Sequence, residues 1–437
     1  TFKPVSLTTL VDSPVNTGEY MRSVTLGESP HVELDIAADS AAALDAPPEV
    51  FEHYRQLVTQ AQELFGTHHY REYHFLYTLS DHVAHFGLEH HESNDSRRPE
   101  RALVDPDLRL TSAGLLPHEF VHSWNGKFRR PADLATPDYE KPMRTDLLWV
   151  YEGLTEYLGD ILSARSGLAN PEQFRDALAM NAAELDHRSG RVWRNLQDTA
   201  DGVPTMQDAP HEWQSWRRSL DYYEEEELNW LWVDTIIRQE THGKKSMDDF
   251  CHIFHGGQGE KPEVKTYTFG DVMDTLNQVA AYDWRGFWIE RLTNHGPGAP
   301  LEGIERSGWK LVYDENESEQ MRAWEIEHRE INAKYSIGLW LKDDGEIVDT
   351  IEGMPAALAG IGPGMKVVAV NGRRFSADIL HDALRTGKAS SAPLELLIEN
   401  TGYYKTYKVD YHGGNKYPHL VRDESTRDVL SAIIKPR

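Results

Sequence analysis

A chain of 437 residues is too long for one ordinary hydrophobic core and long enough for two or three. With 71 acidic against 45 basic side chains its formal net charge is −26, which repels phosphate backbones, argues against a nucleic-acid partner and favours cationic ligands such as free peptide amines. No apolar run approaches the roughly 18 residues that would span a bilayer, and a single cysteine, Cys251, excludes an internal disulfide and a Cys-rich zinc site.

That cysteine lies in the apolar stretch Phe250 to Phe254 and reads as a core residue. One cysteine suits a reducing cytosol as well as a periplasm, so cytoplasmic, periplasmic and secreted locations for a bacterial-type protein all stay open. The chain begins at Thr1 with no basic-then-apolar leader, which fits a processed N-terminus or a fragment.

In chain order, Val5 to Val11 and Val32 to Ile36 read as strands or extended segments between Pro, Gly and Ser. A helix is expected from Val50 to Phe65, then a strand from Tyr73 to Leu79 and a polar, His-rich loop. Residues 111–291 carry helical periodicity, with long segments at 146–166, 171–187, 220–241 and 269–293. Pro297, Gly298 and Pro300 end this α-rich body, and a charged connection follows. Beyond Tyr335 short strands return, at 337–341, 346–351, 366–370, 394–398 and 404–409.

His118-Glu119-Phe120-Val121-His122 is an HExxH pentad. On a helix, positions four apart share a face, so His118 and His122 can reach one Zn²⁺ while Glu119 points beside it toward water. A hydrolytic zinc takes three protein ligands and keeps one position open. Glu152 can be the third: it sits in Leu147 to Tyr157, whose apolar periodicity describes a buried helix, where an unpaired carboxylate costs several kcal/mol. Glu156, one turn on, is the rival ligand and reads better as a partner behind the ligands. Without the pentad, an N-cap or a salt bridge would account for Glu152.

These two stretches, His118 to Asn125 and Trp149 to Tyr157, resemble the M61 glycyl aminopeptidases, relatives of the M1 aminopeptidases in the gluzincin clan. The resemblance extends from about residue 45 to the C-terminal module. It implies an α+β multidomain chain with a thermolysin-like, α-rich catalytic domain followed by a β-rich PDZ domain. The expected boundaries are residues 1–45 for a short remnant of an N-terminal β domain, 46–314 for the catalytic domain, 315–334 for a linker, 335–415 for the PDZ-like domain and 416–437 for a tail. It also implies one zinc per chain and selects Glu152 as third ligand. Removal of small N-terminal residues, Gly or Ala, is a further implication of the family alone.

An aminopeptidase must hold a free α-amino group, and a fixed carboxylate does that by a charge-assisted hydrogen bond. Glu89, in Phe86-Gly87-Leu88-Glu89-His90, is the candidate, since the segment resembles the Gly-Leu-Glu-His element of the family, and Gly87 belongs to the same substrate-binding element. A solvated loop, or a separate metal cluster of His82, His85, His90 and His91, is the competing reading. The stretch Arg217 to Leu228 resembles the family segment that holds a catalytic tyrosine, which implies Tyr223 as donor to the developing oxyanion, with Tyr222 as its rival. This chain departs from the family at Glu226, where Gly is common. The proposed chemistry has Glu119 accept a proton from the attacking water and return it to the departing amine.

Tyr335-Ser336-Ile337-Gly338-Leu339-Trp340 resembles a PDZ carboxylate-binding loop, with Ile337, Gly338 and Leu339 presenting backbone N–H groups to a peptide C-terminus. Gly353-Met354-Pro355, Ile361-Gly362-Pro363-Gly364 and Val370-Asn371-Gly372 follow in the order of protease-associated PDZ domains, and 377–384 is the expected groove helix. The expected partners are therefore peptides with a free N-terminus and, at this module, peptide C-termini. Two other functions remain to be separated from the first: a catalytically weakened peptide-binding scaffold, and a zinc endopeptidase in which Glu89 is structural.

Overall fold

Val32, Leu34 and Ile36 alternate with polar residues, and this period-two pattern forms a strand, β2 (His31–Ala38), whose apolar side is fully buried. The computed structural model of the protein describes residues 4–138, 140–206, 212–257, 259 and 261–437. In it β2 pairs antiparallel with β1 (Tyr20–Glu28) and parallel with β3 (Glu72–Leu79). Next to β3 lies β5 (Ser93–Arg98), also parallel, and β4 (Phe86–Glu89) closes the sheet as an antiparallel edge, giving the order β1-β2-β3-β5-β4. The sheet thus runs across residue 45, and the strands expected to end a separate N-terminal domain hydrogen-bond directly to those of the central body. Ahead of them, the stretch Val5 to Val11 is not extended. It contains a short helix, α1 (Leu7–Val11), because the Ser6 hydroxyl accepts the Thr9 N–H at 3.1 Å and nucleates a turn that the β-branched residues alone would not favour.

The helix expected at Val50 to Phe65 is α2 (Pro48–Phe65), begun by Pro48 in its first turn and ended by Gly66 in the left-handed region. It packs on the sheet and is followed by α3 (Pro106–Thr111), α4 (Leu115–Val121) and the short strand β6 (Arg129–Pro131). The helix expected at 146–166 is broken at Glu152 into α5 (Leu148–Tyr151) and α6 (Gly153–Ser166). Next come α7 (Pro171–Asp186), with an Asn170/Gln173 capping box, α8 (Leu196–Asp201), α9 (Val203–Met206) and α10 (Glu224–Glu240). Then follow α11 (Met247–Phe254), which buries Cys251, β7 (Lys265–Tyr267) parallel to β6, α12 (Phe269–Val279) and α13 (Trp284–Thr293). The last two were expected as one helix; Ala280 turns extended, and the Asp283 carboxylate caps a new start on the Gly286 N–H. Trp149, Trp230 and Trp288 stack in the centre of this core.

After α14 (Glu302–Arg306), β8 (Trp309–Asp314) pairs antiparallel with the distant β16 (Tyr417–Arg422), and α18 (Leu430–Ile433) buries Leu430 and Ile433 in the main core. Residues 416–437 therefore return to the body as a strand and a helix. Residues 315–334, expected as a linker, contain α15 (Glu319–His328) and β9 (Glu330–Ala333). A second core forms beyond them, from Ile331, Leu339, Ile347, Val367, Leu380 and Leu396 among others. Around it lie β10 (Leu339–Lys342) between β9 and β11 (Ile347–Thr350), α16 (Pro355–Leu358) and α17 (Ala377–Gly387). The four-stranded sheet of β12 (Lys366–Val370), β13 (Arg373–Arg374), β14 (Leu394–Asn400) and β15 (Tyr403–Val409), in the order β13-β12-β14-β15, completes it.

In this module the loop expected to receive a peptide carboxylate is turned on its own chain. The N–H groups of Ser336, Ile337 and Gly338 all donate to the Ala333 carbonyl, at 3.3, 3.1 and 3.1 Å. Ile337 and Leu339 are wholly buried, and Tyr335 packs on His187 and Tyr313 of the main body. Two of the donors that spacing alone offered to a ligand, the Ile337 and Gly338 N–H groups, are thus taken up by a local turn.

Candidate active site

His118 and His122 lie on one face of α4, as four-residue spacing requires, and their Nε2 atoms face each other at 3.1 Å. Oε2 of Glu152 lies 3.2 Å from Nε2 of His122 and 3.5 Å from Nε2 of His118. Three ligands of a tetrahedral zinc at about 2.0–2.1 Å stand roughly 3.3 Å from one another, so this spacing fits the ion. The donor chemistry agrees with the geometry. Nδ1 of His122 donates to the Asn125 carbonyl at 2.9 Å and Nδ1 of His118 faces Oε2 of Glu156 at 2.8 Å, which fixes both rings and leaves both Nε2 lone pairs for a cation. Although buried, Oε2 of Glu152 and Oε2 of Glu119 have no hydrogen-bond donor among the described residues. Glu156 thus stands behind His118 rather than among the three converging atoms.

The break between α5 and α6 aims Glu152 inward. Asn125, four residues beyond Val121, donates through Nδ2 to the Val150 carbonyl at 2.7 Å and to Thr155 Oγ1 at 3.0 Å, tying the end of α4 to the break. At the other contact between these elements, the backbone of His118 passes so close to Gly159 of α6 that a Cβ there would meet its Cα at 3.0 Å.

Glu119, only 5% exposed, points beside the ligands. Burial, together with the nearby carboxylates of Glu89 and Glu152 and against the attraction of His118 and His122, pushes its carboxyl up to about 7 in the metal-free chain. A divalent cation among the ligands would favour its charged form. Burial would also raise Glu152, but the two imidazoles bring it down to about 2.

Edge strand β4 brings Gly87 and Glu89 to the same place. Glu89, Glu119 and His122 offer side-chain atoms that all lie within 4.8 Å of one another, as do those of His118, His122 and Glu152. The Tyr151 hydroxyl donates a short hydrogen bond to Oε1 of Glu89. Tyr223, at the N-terminus of α10, places its ring 6.0 Å from that of His118, whereas Tyr222 is 2% exposed and presses its carbonyl toward Gly153. His82, His85, His90 and His91 form no metal-ligand group among the described residues: His85 bonds the Ser80 carbonyl and His90 the Asp12 carboxylate. Glu33, Asp35 and His74 do cluster, half-exposed on β2 and β3, where His74 and Asp35 form an ion pair at 2.8 Å.

Tyr151, Thr155 and Asn125 stand in the stretches that carry the family resemblance, but no role is read for any of them from the sequence. Each acts through contacts made across long stretches of chain. The Trp-Asn pair after the pentad was the available signal for Asn125, because a polar amide beside a buried tryptophan needs partners.

Residues 111–229 match the M61 glycyl aminopeptidase family. The resemblance drawn from the pentad and from the Glu152 stretch is borne out over this segment. Among solved structures, an aminopeptidase N family protein from Idiomarina loihiensis superposes with a TM-score of 0.72 at 18% identity, covering 95% of this chain and 70% of its own. An M1 zinc metallopeptidase mutant from Deinococcus radiodurans gives a TM-score of 0.40 at 18% identity, over 64% of this chain and 53% of its own. No curated protein matches the chain. The first of these structures shares the mixed α/β, multidomain fold with the M61-matching chain. Among the described residues, no helix is long and apolar enough to cross a membrane.

Proposed function

We propose that the chain is a zinc-dependent aminopeptidase that removes small N-terminal residues from peptides, with His118, His122 and Glu152 holding one zinc ion. The observation that carries the reading is the convergence of these three side chains with Glu119 and Glu89 on one small volume. The bound ion supplies Lewis acidity and lowers the pKa of a water. Glu119 accepts a proton from the water that adds to the first peptide carbonyl, and delivers it to the nitrogen as the C–N bond breaks. Tyr223 donates its O–H to the oxygen that gains negative charge. Glu89, held by the Tyr151 hydroxyl, receives the substrate α-ammonium. The preference for Gly or Ala rests on the family match alone.

The residue order of the C-terminal module supports a PDZ-like fold; the closure of the Ile337 and Gly338 N–H groups on Ala333 and the contacts of Tyr335 with His187 and Tyr313 favour packing on the body over capture of peptide C-termini. Metal analysis joined to assays on glycyl and alanyl peptides, with and without a chelator, tests the main reading. One zinc per chain, chelator-sensitive turnover and rejection of N-acetylated peptides are expected. Cleavage of the acetylated peptides would make the enzyme an endopeptidase, and zinc binding with no turnover would make it a scaffold. Loss of turnover in Glu119→Gln with zinc retained is the expected signature of the proton shuttle.

A further inference from the structure

Tyr223 is the residue at which the chain enters α10, so the position of its side chain depends on the backbone that leads into that helix. That backbone leans on the C-terminal module. The Ser215 N–H donates to Oδ2 of Asp349 at 2.7 Å, and Asp349, on β11, is 2% exposed. The indole N–H of Trp216 donates to the Thr350 carbonyl, also at 2.7 Å. The ring of Trp213 lies so close to the module that a Cβ at Gly362 would come within 2.8 Å of it.

A second tie reaches the same loop from below. Lys334, at the end of β9, is 4% exposed, with its ammonium 3.8 Å from the Trp340 ring centroid and 3.0 Å from Oε2 of Glu184. Oε1 of Glu184 accepts from Arg188 at 2.8 Å. Arg188 in turn donates to Oδ1 of Asp221 at 2.5 Å, and Oδ2 of Asp221 accepts from Arg218 at 2.9 Å. Asp221 is the residue before Tyr222 and Tyr223, and its carbonyl accepts the Glu225 N–H in the first turn of α10. Removing Lys334 takes one of two cations from Glu184, which then draws on Arg188 alone, the same arginine that holds Asp221.

We infer that the C-terminal module belongs to the catalytic apparatus: Asp349 and Lys334 are positioning residues that hold the loop bearing Tyr223 in register with the metal ligands. The inference rests on the reading of Tyr223 as oxyanion donor. A donor that acts on the transition state loses much of its effect when displaced by about 1 Å, a shift that can cost on the order of a hundredfold.

The experiment uses the full-length zinc enzyme with Tyr223→Phe, Asp349→Ala, Asp349→Asn and Trp216→Phe variants. Zinc content, kcat, KM and the affinity of a phosphinic dipeptide, which imitates the tetrahedral intermediate, are measured for each. Asp349→Ala is expected to lower kcat about tenfold or more, with KM within twofold and zinc unchanged, and to weaken the phosphinate in step with kcat/KM. Asp349→Asn, which keeps one acceptor for the Ser215 N–H, recovers most of the loss. Trp216→Phe removes the indole donor while keeping an aromatic ring, and serves if the Ala variant does not fold; a fall in kcat at unchanged KM supports the inference. If Tyr223→Phe loses turnover while the Asp349 and Trp216 variants keep wild-type kcat and show only a lower Tm, the module is a passive neighbour and the inference is wrong. If Tyr223→Phe is itself silent, the premise about Tyr223 fails instead, and the inference goes with it.

Discussion

Gly87 and Glu119 are fitted to one another: a Cβ built on Gly87 would lie 1.9 Å from Oε1 of Glu119, and 2.8 Å from a methyl of Leu115. The edge strand therefore sets where Glu119, the proposed general base, can stand. Gly87→Ala is expected to push the Glu119 carboxylate off line and lower kcat by roughly a hundredfold. The ligands are not touched, so metal analysis of the variant should still give one zinc per chain. A variant with wild-type kcat would show that Glu119 has room to work from another rotamer.

The two neighbouring tyrosines can be separated by their surroundings. Tyr223 faces His118, and Tyr222 is buried against it at a ring distance of 4.9 Å. Tyr223→Phe should lower kcat by about 10²- to 10³-fold, the range seen when one oxyanion donor is removed, and leave KM nearly unchanged. Tyr222→Phe should have the smaller effect on kcat. Steady-state kinetics on a glycyl chromogenic substrate compares them directly, and the reverse ranking would assign the donor to Tyr222.

The parts of this site that depend on one helix were legible in the residues. His118 and His122 share a face by periodicity alone, and Glu152 stood out because a carboxylate in an apolar helix needs a partner. What was not legible depends on contacts between remote segments. Tyr151 meets Glu89 across 62 positions, and the HExxH helix meets the Glu152 break through Asn125. The same holds for the fold. α2 and the strands of the second core follow local pattern, whereas α1 hangs on one serine hydroxyl. The loop at Ile337 to Leu339 carries the right residues for a carboxylate site, but the Ala333 carbonyl takes the Ile337 and Gly338 N–H groups, and Ile337 and Leu339 are buried in the core of their own module.

Glu156 offers a test of ligand orientation. Its carboxylate sits 2.8 Å from Nδ1 of His118, the nitrogen turned away from the converging atoms. Such a partner fixes the ring and raises the basicity of the ligating nitrogen, and its loss costs about 10- to 100-fold in metal affinity. Glu156→Ala should therefore yield zinc to a chelator at 10- to 100-fold lower concentration than the wild type does. Asn125→Ala, which removes the amide that ties α4 to the Glu152 break, is expected to act in the same direction. Unchanged competition curves for both would mean that the helices alone orient the ligands.

Glu226, where the resemblance leads one to expect glycine, has a Cβ that would lie 2.2 Å from a Cβ added to Gly153, so the two helices meet through this pair. The side chain is fully buried; Asn229 donates to Oε1 at 3.3 Å, and Oε2 has no partner. Burial, with the like charge of Glu225, lifts its carboxyl well above the ordinary value of 4.5. The folded chain thus keeps a proton that the unfolded chain releases. Stability contributed at this position is accordingly greatest at or below pH 4.5 and falls as the pH rises toward the folded value. Glu226→Gln keeps the shape and the Asn229 contact but has no proton to lose. Its Tm relative to wild type should be close to zero difference near pH 4 and increasingly positive toward pH 8, measured by thermal unfolding of the two proteins in matched buffers. A gap that instead closes or reverses toward pH 8 would mean that Glu226 is ionised in the folded protein and stabilised there by a cation.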